Sequence, residues 1–364
     1  MSIYVCLIIY IVTVPLVFDA FKNYAIRRKM IAFFCMFAVF LLLSLKAPSV
    51  GSDIWGYKQA YELARSQQWS SWDYIYYEKG YIFLNKLFSK LGVSFQLFTA
   101  ILYAFTCFAW YKIIKKHSTN PAMTVLIFVC YQFLVFFTSA LRQTLSMAIC
   151  IFAFLELEKD TLRSFLFSIV LSFCAYSVHT GALAFIAIIV AWLLSKNKKT
   201  MGLLETTLTL IAGIVLRTSL QSIVKKEFGK SGFDLSFITS GNFWLIVFIF
   251  IFIYYTYYLI VSGISKNIYS QLPEEDFIMY TFSVRISLYC VLGQILFSGN
   301  TVLRSVMYIT LFIAVFLPSF IDRYSYKSRT NICVLFGAFL IALFITQTLL
   351  PNQFQILPYK FYWE

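Results

Sequence analysis

The sequence predicts an all-α polytopic membrane protein of about 12 transmembrane helices with one long extracytoplasmic loop. Of its 364 residues, 60% are hydrophobic and 20% aromatic, and the mean hydropathy is +0.78, which is more apolar than soluble domains. Apolar runs long enough to cross a bilayer recur along the chain. Lysine and arginine collect in alternate loops between these runs, as they do in membrane proteins with a fixed orientation.

The apolar runs, each of about 16 to 23 residues, are taken in order as the spans. The first begins at Ile3 without a basic leader or a cleavage site, so we expect a span and not a cleaved signal. We expect residues 1–364 to form a single integral membrane domain. The predicted spans are 3–18, 30–45, 93–114, 121–138, 142–158, 163–179, 180–195, 201–218, 241–262, 277–297, 304–320 and 330–350.

The distribution of basic residues predicts the orientation. The loops that follow every odd-numbered span carry 16 lysines and arginines, which marks them as cytoplasmic. The other face carries 13, of which ten lie in the two longer segments 46–92 and 217–230. Both termini are therefore expected outside the cytoplasm. The net charge of +14 is scattered between apolar runs and forms no single basic face, so we expect membrane lipid and no nucleic acid as a partner.

The segment 46–92 is the predicted extracytoplasmic loop. It is too polar to span a membrane and too aromatic for a slack linker. Its second half has large apolar side chains at helical spacing, which predicts an amphipathic helix on the membrane surface. These side chains are Tyr81, Leu84, Leu87, Phe88 and Leu91.

A transmembrane hairpin is predicted over residues 139–181. From Arg142 to Glu158, and again from Arg163 to His179, there are 17 residues. At 1.5 Å per residue each helix is about 26 Å long, roughly the thickness of a bilayer core. Arg142 and His179 are therefore expected to meet at the same membrane face.

Ionisable side chains beside or within the spans are the first functional candidates, because their burial in a membrane is costly. Arg142 and Arg304 each begin a helix, and two guanidinium groups suit a pyrophosphate better than lysine does. Such arginines can also reach lipid headgroups without further function. The candidates at the outer ends are Asp53, Glu78, Arg142, His179, Arg217 and Arg304, with Arg285 deeper in its span.

Several of these residues have a second interpretation. Arg217 can be an ordinary boundary residue, and Arg285 can pair with Glu205 or line a polar cavity. His179 can be a general base or only a hydrogen-bonded residue at a helix end. The other histidine, His117, lies in a basic loop, where we expect it to be solvated.

No metal and no cofactor are expected. The eight cysteines all lie in apolar runs without a C-x-x-C pair, so they are interpreted as packing residues. His179 has no second histidine or cysteine at ligand spacing. The outer loops contain no Asp-x-Asp motif to hold a divalent cation.

Two acids in the loop lie beside aromatic residues. Asp53 is in Gly51-Ser-Asp-Ile-Trp-Gly-Tyr57, and Glu78 is followed by Lys-Gly-Tyr81. Carboxylates beside rings often bind sugars, although solvated loop charges are commoner in general. Either acid, or His179, could take a proton from a sugar hydroxyl.

Five short motifs occur in order along the chain. They are Gly51-Ser-Asp53 with Tyr57 and Tyr61, Glu78-Lys-Gly-Tyr81, Leu141-Arg142-Gln143, His179-Thr-Gly-Ala, and Arg304 with Tyr308. Taken together, these motifs resemble the EpsG-like group of Wzy-type bacterial polysaccharide polymerases. The resemblance covers residues 51–308 and implies a GT-C-like helical membrane fold. It also implies polymerisation of glycans on an undecaprenyl pyrophosphate carrier at the periplasmic face of the bacterial inner membrane, for O-antigen, capsule or exopolysaccharide.

The resemblance implies a glycosyl transfer with a lipid pyrophosphate as the leaving group. The expected partners are an undecaprenyl-pyrophosphate-linked oligosaccharide and a protein that regulates chain length. On this hypothesis the pyrophosphate is stabilised by arginines and the acceptor hydroxyl is deprotonated by a carboxylate or imidazole. The residues assigned are Arg142, Arg304, Arg217 and Arg285 for the pyrophosphate; His179, Glu78 and Asp53 for the base; and Tyr57, Tyr81, Gln143 and Tyr308 for the sugars.

Three alternatives stay open. A flippase for the same lipid-linked sugar needs charges along the whole depth of its path, whereas all candidates except Arg285 cluster at the outer end. An O-antigen ligase shares the donor, so only an acceptor assay separates it from a polymerase. A membrane acyltransferase is expected to have a histidine in a more regular motif.

Overall fold

The computed structural model describes residues 2–73, 75–196, 274–296, 300–322 and 326–364. These residues are helical apart from their connections, and their one β-type pairing is an isolated bridge between Lys46 and Phe361. The predicted all-α class is therefore confirmed. Two compact units, described separately, are Met1–Ala182 with Ala314–Glu364, and Leu183–Ile313.

The helices follow most of the predicted spans. Predicted spans 201–218 and 241–262 lie outside the described residues. The α-helices are α1 Ser2–Val17, α2 Tyr24–Ser44, α3 Ile54–Ser66, α4 Lys79–Lys90, α5 Phe95–His117, α6 Pro121–Cys130, α7 Phe133–Ser139, α8 Leu141–Leu157, α9 Leu162–Val178, α10 Phe185–Lys196, α11 Glu274–Leu296, α12 Asn300–Ile321 and α13 Tyr326–Phe344, with a 3₁₀-helix at Thr180–Ala184 and a π-helix at Ile345–Leu349.

By length and composition, two of the described helices can cross a membrane, namely Phe95–His117 and Arg329–Leu349. The bent pair α6 and α7 is a third if it forms one span. Other apolar helices, including α1, α9 and α10, are shorter. The count of 12 transmembrane helices stays a prediction, and so do the GT-C-like fold and the single domain.

The predicted span 121–138 is not one straight helix. Helices α6 and α7 meet at an angle of 57°. Gln132 between them has φ +56°, which is the left-handed conformation and interrupts the hydrogen-bond ladder. The indole of Trp110 packs against rings on both sides of the break, with centroids 4.8 Å from Phe128 and 5.2 Å from Phe133. Apolar content alone could not reveal a bend that tertiary packing holds.

The segment 46–92 contains two helices, of which α3 was not predicted. The expected amphipathic helix is present as α4, but its buried face differs from the predicted one. Leu91 is 70% exposed, whereas Asn85 and Lys86 are fully buried. The physical reason is that α4 packs against α3 and α9. Protein contacts therefore cover the side of α4 that carries these polar side chains.

Helices α8 and α9 form the predicted hairpin. The Ser146 hydroxyl donates to the Ala175 carbonyl across it, over 2.9 Å. The outward face of α9 is apolar, with Leu162 76% and Phe173 70% exposed, while Ser168 faces inward and is fully buried. Apolar side chains outside and small ones inside are typical of a helix that faces lipid.

The end of the hairpin far from Arg142 contains a charged cluster. Glu158, which is 5% exposed, lies 2.7 Å from Lys116 Nζ and 2.8 Å from His117 Nε2. The prediction that His117 is solvated is wrong, because its side chain is only 11% exposed and contacts this carboxylate. The cluster joins the end of α5 to the end of α8.

The segment 354–362, which we call the strap, pairs with residues 45–52 near the other end of the chain. The Ala47 amide donates to the Lys360 carbonyl over 2.8 Å, and the Ser52 amide donates to the Phe354 carbonyl over 2.9 Å. The strap therefore fixes the chain immediately before α3.

In the second unit, Arg285 on α11 is 1% exposed. Its Nη1 donates to Ser195 Oγ on α10 over 3.1 Å. Trp192 packs edge-on against Phe282 beside it, at 5.5 Å between centroids. Arg285 thus joins two helices; Glu205, its predicted alternative partner, lies outside the described residues.

Candidate functional site

The candidate site surrounds Arg142, the second residue of α8. Its Nη1 donates to Glu78 Oε2 in an ion pair, and its Nε donates to the Tyr57 hydroxyl over 3.4 Å. The guanidinium carbon lies 4.2 Å from the centroid of the Tyr77 ring, a cation–π contact. Two aromatic residues and one carboxylate thus hold a cation whose side chain is 21% exposed.

Glu78 has a second donor on the far side of its carboxylate. The Thr180 backbone N–H donates to Oε1 over 3.1 Å. The Gly181 N–H donates to Nδ1 of His179 over 3.1 Å, which closes the turn that directs Thr180 towards Glu78. One carboxylate therefore joins the two ends of the hairpin, as the matched helix lengths predict. Nδ1 of His179 is an acceptor here, so in the neutral ring Nε2 carries the proton, and the lone pair that a base would use already accepts from the Gly181 N–H.

Three tyrosine rings form the wall of the site. Tyr57 and Tyr77 have centroids 5.4 Å apart, and Tyr81 is 5.6 Å from Tyr57 and 5.7 Å from Tyr77. Burial, with Tyr57 as the next cause, raises the pKa of Tyr77 to about 12. Burial also holds the pKa of Tyr81 well above its ordinary value. The hydroxyl of Tyr77, a partly exposed residue, stays protonated at neutral pH and can donate to a polar ligand, whereas Tyr81 is fully buried.

Asp53 lies at the edge of the same site. It immediately precedes α3 and accepts a hydrogen bond from the Ser52 hydroxyl over 3.0 Å. After burial and Tyr57, Asp53 and Glu78 make smaller electrostatic contributions that raise the pKa of the Tyr77 hydroxyl. The Ser52 N–H donates to the Phe354 carbonyl of the strap, and this hydrogen bond fixes the backbone next to Asp53.

Two glycines allow the close backbone contacts on which the site depends. A Cβ on Gly80 would lie 2.4 Å from Ser177 Oγ and 2.6 Å from the Ser177 carbonyl oxygen. A Cβ on Gly51, which has φ +109°, would lie 2.2 Å from the Thr138 carbonyl oxygen. These contacts hold α4 against α9 and the start of α3 against α7.

Lys86 stabilises the segment between α3 and α4 through hydrogen bonds to its backbone. Its Nζ donates to the Gln68 carbonyl over 2.7 Å, to the Trp69 carbonyl over 3.2 Å and to the Ser71 carbonyl. It also lies 4.9 Å from the Trp72 ring centroid. A single buried cation thus replaces regular hydrogen bonding in the segment that leads to Glu78.

The structure brings together six of the predicted site residues and leaves others elsewhere. Gln143 is buried in α8 next to Arg142. In α12, Arg304 is half-buried and Tyr308 fully buried, and both belong to the second unit, as does Arg285. Arg217 lies outside the described residues. The six are Asp53, Tyr57, Glu78, Tyr81, Arg142 and His179.

Sequence reasoning missed Tyr77, the Thr180 N–H and Lys86. Tyr77 precedes Glu78 directly, so the Tyr-Tyr-Glu sequence held a usable signal. No sequence pattern identifies the other two, because each depends on how a loop folds back. In the part of the chain that the structure describes, no three His, Cys, Asp or Glu residues group as metal ligands would.

The model of the EpsG family matches residues 29–361, nearly the whole chain. No curated protein and no solved structure matches. The matched range includes every residue of the Arg142 site. The chain therefore belongs to the EpsG family, and with its apolar helices it is a bacterial membrane protein of polysaccharide biosynthesis.

Proposed function

We propose that the protein is a glycosyltransferase that polymerises oligosaccharide repeat units linked to undecaprenyl pyrophosphate. The observation that carries this proposal is the half-buried Arg142 guanidinium between two tyrosine rings, beside an acid, in a chain of the EpsG family. A cation for an anionic leaving group, rings for sugars and a carboxylate for a hydroxyl proton are what such a transfer needs.

In the proposed reaction, the growing glycan passes from its carrier to the non-reducing end of an incoming lipid-linked unit. The bond between the anomeric carbon of the donor and the pyrophosphate oxygen breaks, and the pyrophosphate leaves with the electron pair. The acceptor hydroxyl oxygen forms the new glycosidic bond, and its proton goes to a basic residue of the site. No metal takes part in this scheme.

Arg142 stabilises the charge that develops on the departing pyrophosphate. Glu78 is our first choice for the base, because its carboxylate contacts Arg142 directly, and Asp53 at the edge of the site is the second. Tyr77, which is partly exposed, contacts the sugars, and the buried Tyr57 and Tyr81 pack against its ring. Roles for Arg304, Tyr308, Gln143 and Arg217 rest on the sequence alone, and Arg285 is assigned a structural role through its bond to Ser195.

The site is proposed to face the periplasm at the inner membrane. Support comes from the basic residues, which are concentrated in the loops at the opposite ends of the spans. Whether the product is O-antigen, capsule or exopolysaccharide depends on the repeat unit. A chain-length regulator is the proposed protein partner.

The test is complementation of a deletion strain with Arg142→Ala, Glu78→Ala and, separately, Arg304→Ala, followed by gel analysis of the surface glycan. Arg65→Ala is the matched control, since Arg65 is an exposed arginine at the end of α3. We expect Arg142→Ala and Glu78→Ala to lose the ladder but retain a single repeat unit. The control is expected to give a normal ladder.

Other outcomes separate the alternatives. Loss of all glycan, including the single unit, favours a flippase or a ligase. A normal ladder from both Arg142→Ala and Glu78→Ala contradicts the assignment of this site. The Arg304→Ala result bears only on the assignment made from sequence.

A further inference from the structure

The Glu78 carboxylate accepts hydrogen bonds from two groups that could also donate to a phosphate. One carboxylate oxygen accepts a hydrogen bond from the Arg142 guanidinium, and the other accepts one from the Thr180 backbone N–H over 3.1 Å. A guanidinium and a main-chain amide bind phosphate oxygens as readily as carboxylate oxygens. The anion site of the proposed function is thus filled by an anion of the protein itself.

The guanidinium has other contacts to keep it in place if the carboxylate moves away. The Tyr77 ring lies 4.2 Å from its carbon and the Tyr57 ring 5.9 Å, and the Tyr57 hydroxyl accepts from Nε. These contacts do not involve Glu78. A ligand that displaced the carboxylate would therefore meet an already oriented cation.

The Glu78 side chain is the part that can move. It precedes α4 in an extended conformation and makes no capping bond to its own helix. The α4 backbone cannot easily shift towards α9, because Gly80 already abuts the Ser177 carbonyl. Side-chain exposures of 16% for Glu78 and 21% for Arg142 leave the ion pair partly open to an incoming ligand.

We propose that the Glu78 carboxylate occupies the subsite for the substrate's pyrophosphate, and that pyrophosphate binding displaces it from Arg142. This inference rests on the proposed function and adds an order of events to it. The resting site is neutralised, donor binding breaks the ion pair, and only then is the carboxylate available to accept the proton of the acceptor hydroxyl. Arrival of the donor would thus activate the base.

The proposal predicts that wild-type affinity for pyrophosphate is reduced by the internal competitor. Binding of inorganic pyrophosphate to the full-length protein in detergent is measured for wild type and Glu78→Gln. Glutamine keeps an acceptor for the Thr180 N–H and removes the charge. In wild type, pyrophosphate has to replace a charged hydrogen bond between Glu78 and Arg142. We therefore expect Glu78→Gln to bind pyrophosphate on the order of tenfold more tightly than wild type.

Two further variants complete the design. Glu62→Gln removes an exposed carboxylate that contacts Lys58 at 3.8 Å, and it controls for net charge. Arg142→Gln is introduced into the wild type and into Glu78→Gln. It is expected to abolish the difference in pyrophosphate affinity between them. Farnesyl pyrophosphate, tested in parallel, shows whether a lipid tail adds to the affinity for the free anion. Size-exclusion profiles establish that each variant is folded.

The outcomes are distinct. Tighter binding by Glu78→Gln but not by Glu62→Gln supports the proposal. If Arg142→Gln weakens pyrophosphate binding and Glu78→Gln leaves it unchanged or weaker, the displacement is wrong but the proposed function stands. If Arg142→Gln has no effect on pyrophosphate binding, both the displacement and the pyrophosphate role of Arg142 are wrong.

Discussion

At the residue scale, Arg142 uses features that only arginine combines. Its planar group stacks on Tyr77, donates through Nε to Tyr57 and pairs through Nη1 with Glu78. Lysine offers a point charge on a flexible stem and cannot make these contacts at once.

We therefore predict that Arg142→Lys loses about tenfold or more of the polymerising activity despite keeping the charge, because a hydrogen bond to a charged group is lost. Ladder intensity in the complemented strain measures this. Arg65→Lys, the same exchange at an exposed position, is the control. Full activity of Arg142→Lys would show that charge alone suffices.

His179 shapes the turn at the end of α9. Its Nδ1 accepts from the Gly181 N–H, and the adjacent Thr180 N–H reaches Glu78. We predict that His179→Asn retains most of the activity, because its side-chain oxygen can accept the same N–H, whereas His179→Leu loses it. The two variants are compared in the complementation assay. Equal loss in both would instead favour His179 as the base.

At the element scale, the docking of α4 on α9 sets the position of Glu78. We predict that Gly80→Ala destabilises the protein by about 1–3 kcal/mol and reduces activity, since the new methyl group overlaps the Ser177 carbonyl. Thermal unfolding in detergent and the glycan ladder measure the two effects.

Gly56 on α3 is the matched control for this change. A Cβ there would lie 3.6 Å from the Tyr77 hydroxyl, an ordinary contact. Gly56→Ala is expected to be neutral or to stabilise by up to about 1 kcal/mol through helix propensity. Equal effects of the two substitutions would contradict the close-packing argument.

Elements were predictable where one physical rule dominates. Apolar runs marked α5 and the hairpin, because a bilayer demands that length and composition. Helix α3 was missed although its buried residues Ile54, Tyr57, Tyr61 and Ala64 recur at helical spacing. Phe83, 45% exposed, and the buried Asn85 show why the buried face of α4 could not be read from apolar spacing alone. Contacts with α3 and α9 decide it.

At the scale of the whole molecule, Lys46 links stability to pH. It is 4% exposed and its Nζ donates to the Val50 carbonyl over 2.8 Å. Burial lowers its pKa from 10.5 to about 7. Between these values the unfolded chain binds the proton more strongly, so folded stability rises with pH across this window.

We predict that the free energy of unfolding increases from pH 7 to pH 9 by up to about 1.4 kcal/mol per pH unit from this group. Lys46→Met is expected to flatten the slope, and Lys90→Met, at an exposed lysine, to leave it unchanged. Unfolding temperature against pH is the measurement. If the unfolding temperature of Lys46→Met depended on pH as it does in wild type, the interpretation of Lys46 as a buried amine with a lowered pKa would be wrong.

The orientation across the membrane is also testable. Tyr76, fully exposed beside the site, and Lys159, exposed at the other end of the hairpin, are predicted on opposite sides. Tyr76→Cys and Lys159→Cys in a variant lacking the eight native cysteines are treated with a membrane-impermeant maleimide. We expect labelling of intact spheroplasts at Tyr76→Cys only. The reverse pattern would place the site in the cytoplasm.

For the whole site, Asp53, Glu78, Arg142 and His179 could be found because ionisable side chains beside apolar spans are rare and costly, whereas Tyr57 and Tyr81 were found through the family resemblance. Their pairing could not be predicted, since Glu78 is 64 positions from Arg142 and reaches it only through the folded loop. Lys86 was counted only as a loop charge, although it is a buried capping residue. Burial of a polar group is a property of tertiary structure.

The strap has a consequence for how the protein is assembled in the cell. Its partners, residues 45–52, are synthesised early, whereas residues 354–362 emerge only after some 300 further residues. Helices inserted in order would thus wait, with the loop of the site unsecured, until this late segment arrived. A nascent chain halted before residue 354 would carry all the residues of the Arg142 site and yet lack the contact that holds Ser52 in place. Biogenesis itself would then withhold activity until synthesis has passed this point.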